Sequence, residues 1–270
     1  MPAPADLGVA SHYLTDLFAV LKGSAMRLVR QPFEPRRSEA ARRMSRQILL
    51  LVAIGGVSIL ALLFEVDVAE IQLVPLRGTP GLWPVRILTD FGRDAYVLWG
   101  LAVLLIAVVI MAPWWRDAGR SRLLAFATRL QFLLFAVMTP LLAAEVIKWI
   151  AGRGRPLVGG KADAFNFVPF AGTEAYASFP SAHAVTSFAL AFAVSALWPR
   201  TRVMMAVYAV IIACSRLVLL AHHPSDVVAG ALIGVVGAMF VRYWFAARGL
   251  CFAIDGRGGI VPLASDGKSA

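Results

Sequence analysis

Six long apolar stretches constrain this chain more than any other feature of its sequence. They run from Gln47 to Val66, Asp94 to Ala112, Leu130 to Ile147, Ala182 to Trp198, Val203 to Ala221 and Val227 to Phe245. A helix needs about 20 residues to cross the hydrocarbon core of a bilayer, at roughly 1.5 Å per residue. Each stretch is close to that length, and 59% of the chain is hydrophobic. The sequence therefore predicts an all-α polytopic membrane protein with six transmembrane helices in one bundle.

The segment before the first apolar stretch is basic and contains a periodic apolar pattern. Residues 1–46 hold eight Lys and Arg residues, and Tyr13, Leu14, Leu17, Phe18 and Leu21 recur there at helical spacing. This pattern favours an amphipathic helix at the membrane surface, and an ordinary soluble helix is the alternative. We expect three parts: a basic cytoplasmic N-terminal extension (1–46), a membrane domain (47–246) and a cytoplasmic tail (247–270).

The remaining Lys and Arg residues indicate the orientation of the bundle. With a cytoplasmic N-terminus, the inner side also receives Arg116, Arg120, Arg122, Arg200 and Arg202. Because inner loops of membrane proteins are enriched in Lys and Arg, we expect both termini in the cytoplasm. We also expect the chain to lie in the inner (plasma) membrane. We interpret the net charge of +10 as part of this bias across the bilayer, because no basic stripe interleaved with aromatic residues points to a nucleic-acid partner. Oligomeric state is not predicted.

Three segments predicted to meet on the outer side hold every histidine except His12. They are EVIKWIAGRGRPL, ASFPSAHAVTS and CSRLVLLAHHPSD. Taken singly, their polar residues have simple interpretations: Lys148 can pair with Glu145, Arg155 can reach the headgroups, and PSD is an ordinary helix start. Charged groups near the ends of spans are costly unless they face a polar cavity. Their convergence on one face therefore favours a functional site.

The residue types in these segments suit phosphate chemistry. Lys148, Arg155 and Arg216 beside two helix N-termini would bind a compact anion. A neutral imidazole can attack phosphorus while a carboxylate holds its other nitrogen, and a second histidine can protonate the leaving oxygen. The segments contain no carboxylate cluster for Mg²⁺, so neither a metal nor another cofactor is expected. The pattern predicts a metal-free phosphatase.

The spacing of these residues resembles that of the type 2 phosphatidic acid phosphatase family, which is related to the vanadium haloperoxidases. KWIAGRGRP reads as K-x6-R-P, PSAH is similar to P-S-G-H, and SRLVLLAHHPSD reads as S-R-x5-H-x3-D. LTDFG, around Thr89, resembles a common entry to the second span of that family. The six-span layout extends the likeness from about Gln47 to Phe245, and the N-terminal extension and tail lie outside it.

The resemblance implies a role for each matching residue. Lys148, Arg155 and Arg216 would bind the phosphate, together with Ser181 and the amide of Ala182. His183 would be the general acid, His222 the phosphorylated nucleophile, and Asp226 the residue that orients it. Ala182 stands where the family usually has Gly, which predicts a changed fit. His223 is out of register with the motif and is expected to line the site or the interface.

The predicted function is that of a membrane lipid phosphatase whose site faces the periplasm or exterior. The candidate substrates are phosphatidylglycerol phosphate, phosphatidic acid, undecaprenyl diphosphate and the phosphates of lipid A, with Arg153, Lys161 and the loop from 161 to 179 expected to select the headgroup. One alternative is a phosphotransferase that passes phosphate from the same phosphohistidine to a lipid or sugar. Another is a non-catalytic lipid-phosphate binder or transporter, which would not need His183, His222 and Asp226 together. A haloperoxidase is a remote third, since those relatives are soluble.

Overall fold

The computed structural model describes residues 4–74 and 79–263 of the chain, with side chains from His12 onward. Within these residues the chain forms nine α-helices, four short 3-10 turns and one two-stranded antiparallel sheet. The helices are α1 (Pro4–Val29), α2 (Arg37–Glu65), α3 (Asp67–Leu73), α4 (Trp83–Asp90), α5 (Asp94–Met111), α6 (Asp117–Ala151), α7 (Ala182–Leu197), α8 (Arg202–Val218) and α9 (Pro224–Ala246). The strands are β1 (Phe252–Ile254) and β2 (Ile260–Pro262).

The all-α membrane fold predicted from the apolar stretches is confirmed. Among the described residues, five helical segments are long and apolar enough to cross a bilayer, and α7, with 16 residues, is a shorter apolar helix. The predicted spans correspond in order to α2, α5, α6, α7, α8 and α9. Two boundaries differ in ways that matter for the site. Helix α6 is 35 residues long, and α8 ends at Val218, so that residues 219–223 connect α8 to α9 without helical structure.

Two short helices that the apolar pattern did not predict precede α5. Helix α3 follows α2 directly and places Asp67 at its first position, where the side chain is fully buried. Helix α4 packs against α8 and carries Thr89, also buried. Both helices lie at the end of the bundle where α2 ends, and each has a polar side chain that contacts an arginine of a motif segment.

Helix α9 is central to the bundle because it packs closely against α7, α6 and α2. A Cβ atom on Gly230 would lie 2.5 Å from the carbonyl oxygen of Ser181, and one on Gly234 would lie 2.5 Å from that of Val185. A Cβ atom on Gly237 would lie 2.5 Å from the Cβ atom of Pro140 on α6. Glycines on one face of a transmembrane helix allow two backbones to approach at this range. The contact fixes the start of α7 against the first turns of α9.

The N-terminal helix and the tail pack on the opposite end of the bundle. The amides of Phe33 and Glu34, which follow α1, donate to the carbonyl oxygen of Ala247 at 3.2 and 3.4 Å. Phe252 of β1 contacts Phe132 of α6 edge-on, with ring centroids 4.8 Å apart. Leu14, Phe18 and Leu21 of α1 are exposed, which suits a helix whose apolar side faces lipid. The membrane-surface position of α1 stays a prediction.

We expect Gly230→Ala to destabilise the protein, because the added methyl group forces α7 and α9 apart. Overpacking of this kind costs about 1–3 kcal/mol, which corresponds to a fall of roughly 2–10 °C in the midpoint of thermal unfolding in detergent micelles. Gly56→Ala is the matched control, since no atom lies within 4 Å of its added Cβ. Equal midpoints for the two variants would contradict this packing account.

Candidate active site

The three motif segments meet at one end of the bundle. Lys148 lies in the last turn of α6, and Arg155 follows three residues after Gly152, which ends that helix in a left-handed conformation. Ser181 is the N-cap of α7, and Asp226 lies in the first turn of α9. The amide of Ser181 donates to the carbonyl oxygen of Asp226 at 3.1 Å. The structure thus brings together residues that are far apart in the sequence, as the predicted order of the spans implied.

His222 lies in the non-helical connection between α8 and α9 and is buried. Its Nδ1 is 2.8 Å from the carbonyl oxygen of Ser178. Because a carbonyl oxygen can only accept, Nδ1 carries the hydrogen of this bond, and Nε2 of the neutral ring keeps its lone pair. Burial, and then the charges of Arg216 and Arg155, lower the pKa of His222 well below its ordinary value of 6.5. The ring is therefore neutral at neutral pH, the form that a nucleophile needs.

Asp226 is fully buried, and its carboxylate is saturated by neighbours other than His222. Its Oδ2 accepts from the Ser178 hydroxyl at 2.6 Å and from the His223 amide at 2.9 Å. The same oxygen is 3.9 Å from Nδ1 of His222, which is beyond hydrogen-bonding distance. In place of the direct hydrogen bond expected between His222 and Asp226, Nδ1 of His222 donates to the carbonyl oxygen of Ser178. Asp226 holds the residue that orients the ring.

A buried arginine, Arg153, connects Asp226 to the short helix α3. Its Nη1 donates to Asp226 Oδ1 at 2.6 Å, and its Nη2 donates to Asp67 Oδ2 at 2.8 Å. Asp67 also accepts from the backbone amide of Ser225 at 3.0 Å and from its hydroxyl at 2.5 Å. Arg153 is 1% exposed, so it is unavailable to a lipid headgroup, and its expected role in headgroup selection is corrected. The guanidinium instead neutralises two buried carboxylates.

Sequence reasoning missed most of this buried network. Asp67 lies outside every motif and next to the end of an apolar stretch. A carboxylate at that position is usually solvent-exposed at the end of a helix. Ser178 precedes the PSAH motif by two residues and contributes both its hydroxyl and its carbonyl oxygen. The one available signal was Arg153, a second arginine placed two residues before the motif arginine Arg155.

The predicted phosphate-binding cations each have a polar partner within the protein. Lys148 pairs with Glu145, one turn earlier on α6, and Arg155 Nη2 donates to a carboxylate oxygen of Glu174 at 2.9 Å. Arg216 is buried in the last turn of α8, and its Nη1 donates to the hydroxyl of Thr89 at 2.9 Å. Thr89 belongs to the LTDFG sequence that resembles the family, and its hydroxyl holds an arginine of the predicted site.

His183 is half-buried in the first turn of α7 and has four positively charged neighbours. They are Arg216, Arg93, Arg155 and Lys148. Arg93 lies outside the three motif segments, and the sequence pattern did not predict it as a neighbour of His183. Next to His183, the hydroxyl of Ser181 is buried and has no hydrogen-bond partner among the described residues. The amides of the first helical turn, including that of Ala182, have no intrahelical acceptor. These groups form a donor-rich, cationic surface suited to an anion.

Two further titratable groups lie beneath this surface. His223 was expected to line the site or the lipid interface. It is instead fully buried at the N-cap of α9, so it lines neither. Glu70 of α3 is also buried, and its carboxylate oxygens have no hydrogen-bond partner in the described part of the chain. Burial, with smaller contributions from Asp67 and Asp226, raises the pKa of Glu70 to about 7. Within that described part, no group of three His, Cys, Asp or Glu residues is arranged to hold a metal ion.

We expect Arg153→Met to destabilise the protein severely, because it leaves two buried carboxylates without a counter-charge. Removing one partner of a buried ion pair costs about 3–5 kcal/mol, or at least about 6 °C in the unfolding midpoint. Lys161→Met is the matched control, since Lys161 is an exposed cation of the same loop. If Arg153→Met does not accumulate as folded protein, Arg153→Lys is measured instead. Because lysine keeps the positive charge, its unfolding midpoint should lie between those of the wild type and a variant without the charge. Equal unfolding midpoints for Arg153→Met and Lys161→Met would show that this network does not stabilise the protein as expected.

Comparison with known proteins identifies the family of this chain. The family model described as the PAP2 superfamily matches residues 129–250, which include all three motif segments. The chain is 30% identical over 221 residues to the lipid A 1-phosphatase of Rhizobium johnstonii, covering 77% of this chain and 84% of the relative. It is 30% identical over 217 residues to the lipid A 1-phosphatase of Rhizobium etli, covering 77% and 88%.

A more distant relative differs in its named substrate. The chain is 29% identical over 219 residues to a putative undecaprenyl-diphosphatase of Escherichia coli, covering 74% of this chain and 99% of the relative. No solved structure gives a significant match. The match to the family model, the helical membrane fold and the coverage of these relatives lead to one conclusion: the chain belongs to the PAP2 superfamily and is a membrane phosphatase of that family.

Proposed function

We propose that this protein hydrolyses a phosphomonoester or diphosphate of a membrane lipid through a phosphohistidine at His222. The observation that carries the proposal is the fixed orientation of the His222 ring. Its Nδ1 hydrogen is committed to the Ser178 carbonyl oxygen, which leaves Nε2 as the only ring nitrogen able to attack phosphorus. Arg216 and Arg155 supply positive charge beside this ring. A nucleophile of this kind fits a phosphatase better than a passive binder of lipid phosphate.

The proposed reaction has two steps. In the first, Nε2 of His222 forms a bond to phosphorus while the bond from phosphorus to the leaving oxygen breaks, and His183 gives its proton to that oxygen. In the second, His183 takes a proton from water, the hydroxide oxygen bonds to phosphorus, and the N–P bond breaks. Free phosphate leaves, and both histidines return to their starting forms. Lys148, Arg155, Arg216, Ser181 and the amide of Ala182 would neutralise the phosphoryl oxygens throughout.

The substrate is proposed to be an amphiphile whose phosphate lies at headgroup level on the outer side of the membrane. The four candidates are phosphatidylglycerol phosphate, phosphatidic acid, undecaprenyl diphosphate and lipid A phosphate. Two of these classes appear in the names of the relatives, as lipid A 1-phosphatase and putative undecaprenyl-diphosphatase. Inner-membrane placement with cytoplasmic termini belongs to the same proposal, and the bias of Lys and Arg toward the inner loops supports the orientation of the termini.

A phosphotransferase remains the second candidate, because transfer from the same phosphohistidine to an alcohol would use the same residues. The acceptor alone separates the two activities. Phosphate release by purified protein in the absence of any added acceptor would favour hydrolysis, whereas release that depends on an added lipid or sugar would favour transfer.

We expect His222→Ala to abolish phosphate release across a panel of the four lipid phosphates, measured in EDTA with purified protein. Loss of the nucleophile should lower kcat by roughly 10⁴-fold or more. The variant should remain folded and inserted, with a cooperative unfolding transition, so that the loss of turnover is chemical. His12→Ala, at an exposed position on α1, is the control and should retain full activity. Near-normal turnover in His222→Ala would show that another group attacks phosphorus.

A further inference from the structure

A polar cavity of about 280 Å³ adjoins the predicted phosphate-binding cations. It is lined by Glu145, Lys148, Trp149, Gly172, Thr173, Glu174, Tyr176 and Ala177. Pockets that take a whole drug-sized ligand occupy roughly 300–1,000 Å³, so this cavity suits a single ring rather than a complete headgroup. Because Lys148 belongs both to the cavity wall and to the phosphate site, a group that occupies the cavity would be the one directly bonded to the phosphate.

The wall formed by residues 172–177 is attached to the motif arginine. The backbone amide of Arg155 donates to the carbonyl oxygen of Ala175 at 2.9 Å, and its Nε donates to that of Glu174 at 2.9 Å. One residue beyond the wall, the amide of Ser178 donates to the carbonyl oxygen of Arg153 at 3.0 Å. The cavity is therefore held in a fixed position relative to Arg155 and to the buried network.

Two carboxylates of the cavity are paired with the cations that phosphate would need. Glu145 pairs with Lys148, and Glu174 pairs with Arg155. The carboxylate side chains are 53% and 93% exposed, respectively, and exposed ion pairs contribute only about 0–1 kcal/mol. A phosphate dianion can therefore take over both cations. Glu145 and Glu174 are then released at the edge of the cavity, next to the bound phosphate.

Released carboxylates select the chemistry of the neighbouring group. A carboxylate can only accept hydrogen bonds, so it favours hydroxyl or ammonium donors and repels a second anion. Tyr176 adds a hydroxyl group, and Trp149, which is 55% exposed, adds an aromatic face for the C–H side of a ring. Hydroxyl groups around one face of a ring and C–H groups on the other are the surface of a sugar.

The four candidate substrates differ in the group that would enter this cavity. In undecaprenyl diphosphate it is a second phosphate, and in phosphatidylglycerol phosphate it is a glycerol unit that leads to another phosphate; both bring negative charge toward Glu145 and Glu174. In phosphatidic acid it is an esterified glycerol without hydrogen-bond donors. In a lipid A phosphate it is a sugar ring.

On the basis of the proposed phosphatase function, we propose that this cavity is a sugar subsite and that the preferred substrate is a glycolipid phosphate. Glu174 and Tyr176 act as specificity-determining residues that hydrogen-bond to hydroxyl or amino groups of the ring. Glu145 contributes in the same way once phosphate has displaced it from Lys148.

The test compares kcat/KM for two substrates with matched acyl chains, an acylated glucosamine 1-phosphate and phosphatidic acid, using the purified full chain in micelles. The variants are Glu174→Gln and Tyr176→Phe, each of which removes one hydrogen-bonding partner with little change in shape. A hydrogen bond to a charged group contributes about 1.5–3 kcal/mol, so Glu174→Gln should lower kcat/KM for the glycolipid phosphate by about 10- to 100-fold. The value for phosphatidic acid should change by less than about threefold, and Tyr176→Phe should show the same selectivity with a smaller loss.

Glu65→Gln is the control, because Glu65 is an exposed carboxylate at the same end of the bundle that does not line the cavity. An equal fall for both substrates would mean that Glu174 acts only through Arg155 and would overturn the subsite. A wild-type preference for phosphatidic acid would overturn it too. If neither lipid is hydrolysed, the phosphatase proposal fails, and equilibrium binding of the same two lipids then decides the subsite. Tighter binding of the sugar phosphate, weakened in Glu174→Gln, would support it, and equal binding would reject it.

Discussion

The buried guanidinium of Arg153 is the interaction on which the rest of the site depends. It lies between Asp67 and Asp226, at 2.8 and 2.6 Å, with all three side chains shielded from water. Isolated charges at this depth would be costly, and their mutual pairing offsets that cost only because each member has further hydrogen bonds. The Asp226 carboxylate is held by Ser178 and His223, and the Asp67 carboxylate by Ser225. One arginine thereby joins the first motif segment, α3 and the start of α9.

The orientation of His222, the proposed nucleophile, follows from this network. Asp226 fixes Ser178, and the carbonyl oxygen of Ser178 fixes His222. The glycine face of α9 brings α7 close enough for the amide of Ser181 to bond to Asp226 as well. In contrast, Lys148 and Arg155 are paired with exposed carboxylates, which a ligand can displace. The site thus combines a rigid buried part, suited to positioning a reactive ring, with an exchangeable outer part, suited to binding and releasing an anion.

The sequence predicted the helical membrane fold because the length of an apolar stretch is a local property. It predicted that the three motif segments meet because the order and orientation of the spans put all three on one side. It did not predict which polar side chains are buried together. Arg153 and Lys161 looked alike as cations of one loop, yet Arg153 is enclosed and Lys161 is exposed. The difference depends on Asp67, 86 residues earlier in the chain, and no local pattern encodes that distance. The sequence also did not predict that α8 ends at Val218, because the apolar stretch continues past this residue to Ala221. This early end places His222 in a non-helical connection.

The central claim is that His222 carries the phosphoryl group during turnover. The most direct measurement is rapid mixing of the purified protein with a lipid phosphate, quenching in alkali, where phosphohistidine survives, and locating the modified residue by mass spectrometry. The account predicts a single phosphorylated residue, His222, whose modification appears before phosphate is released. Turnover with no phosphorylated residue, or with phosphate on His183 or His223 instead, would contradict it.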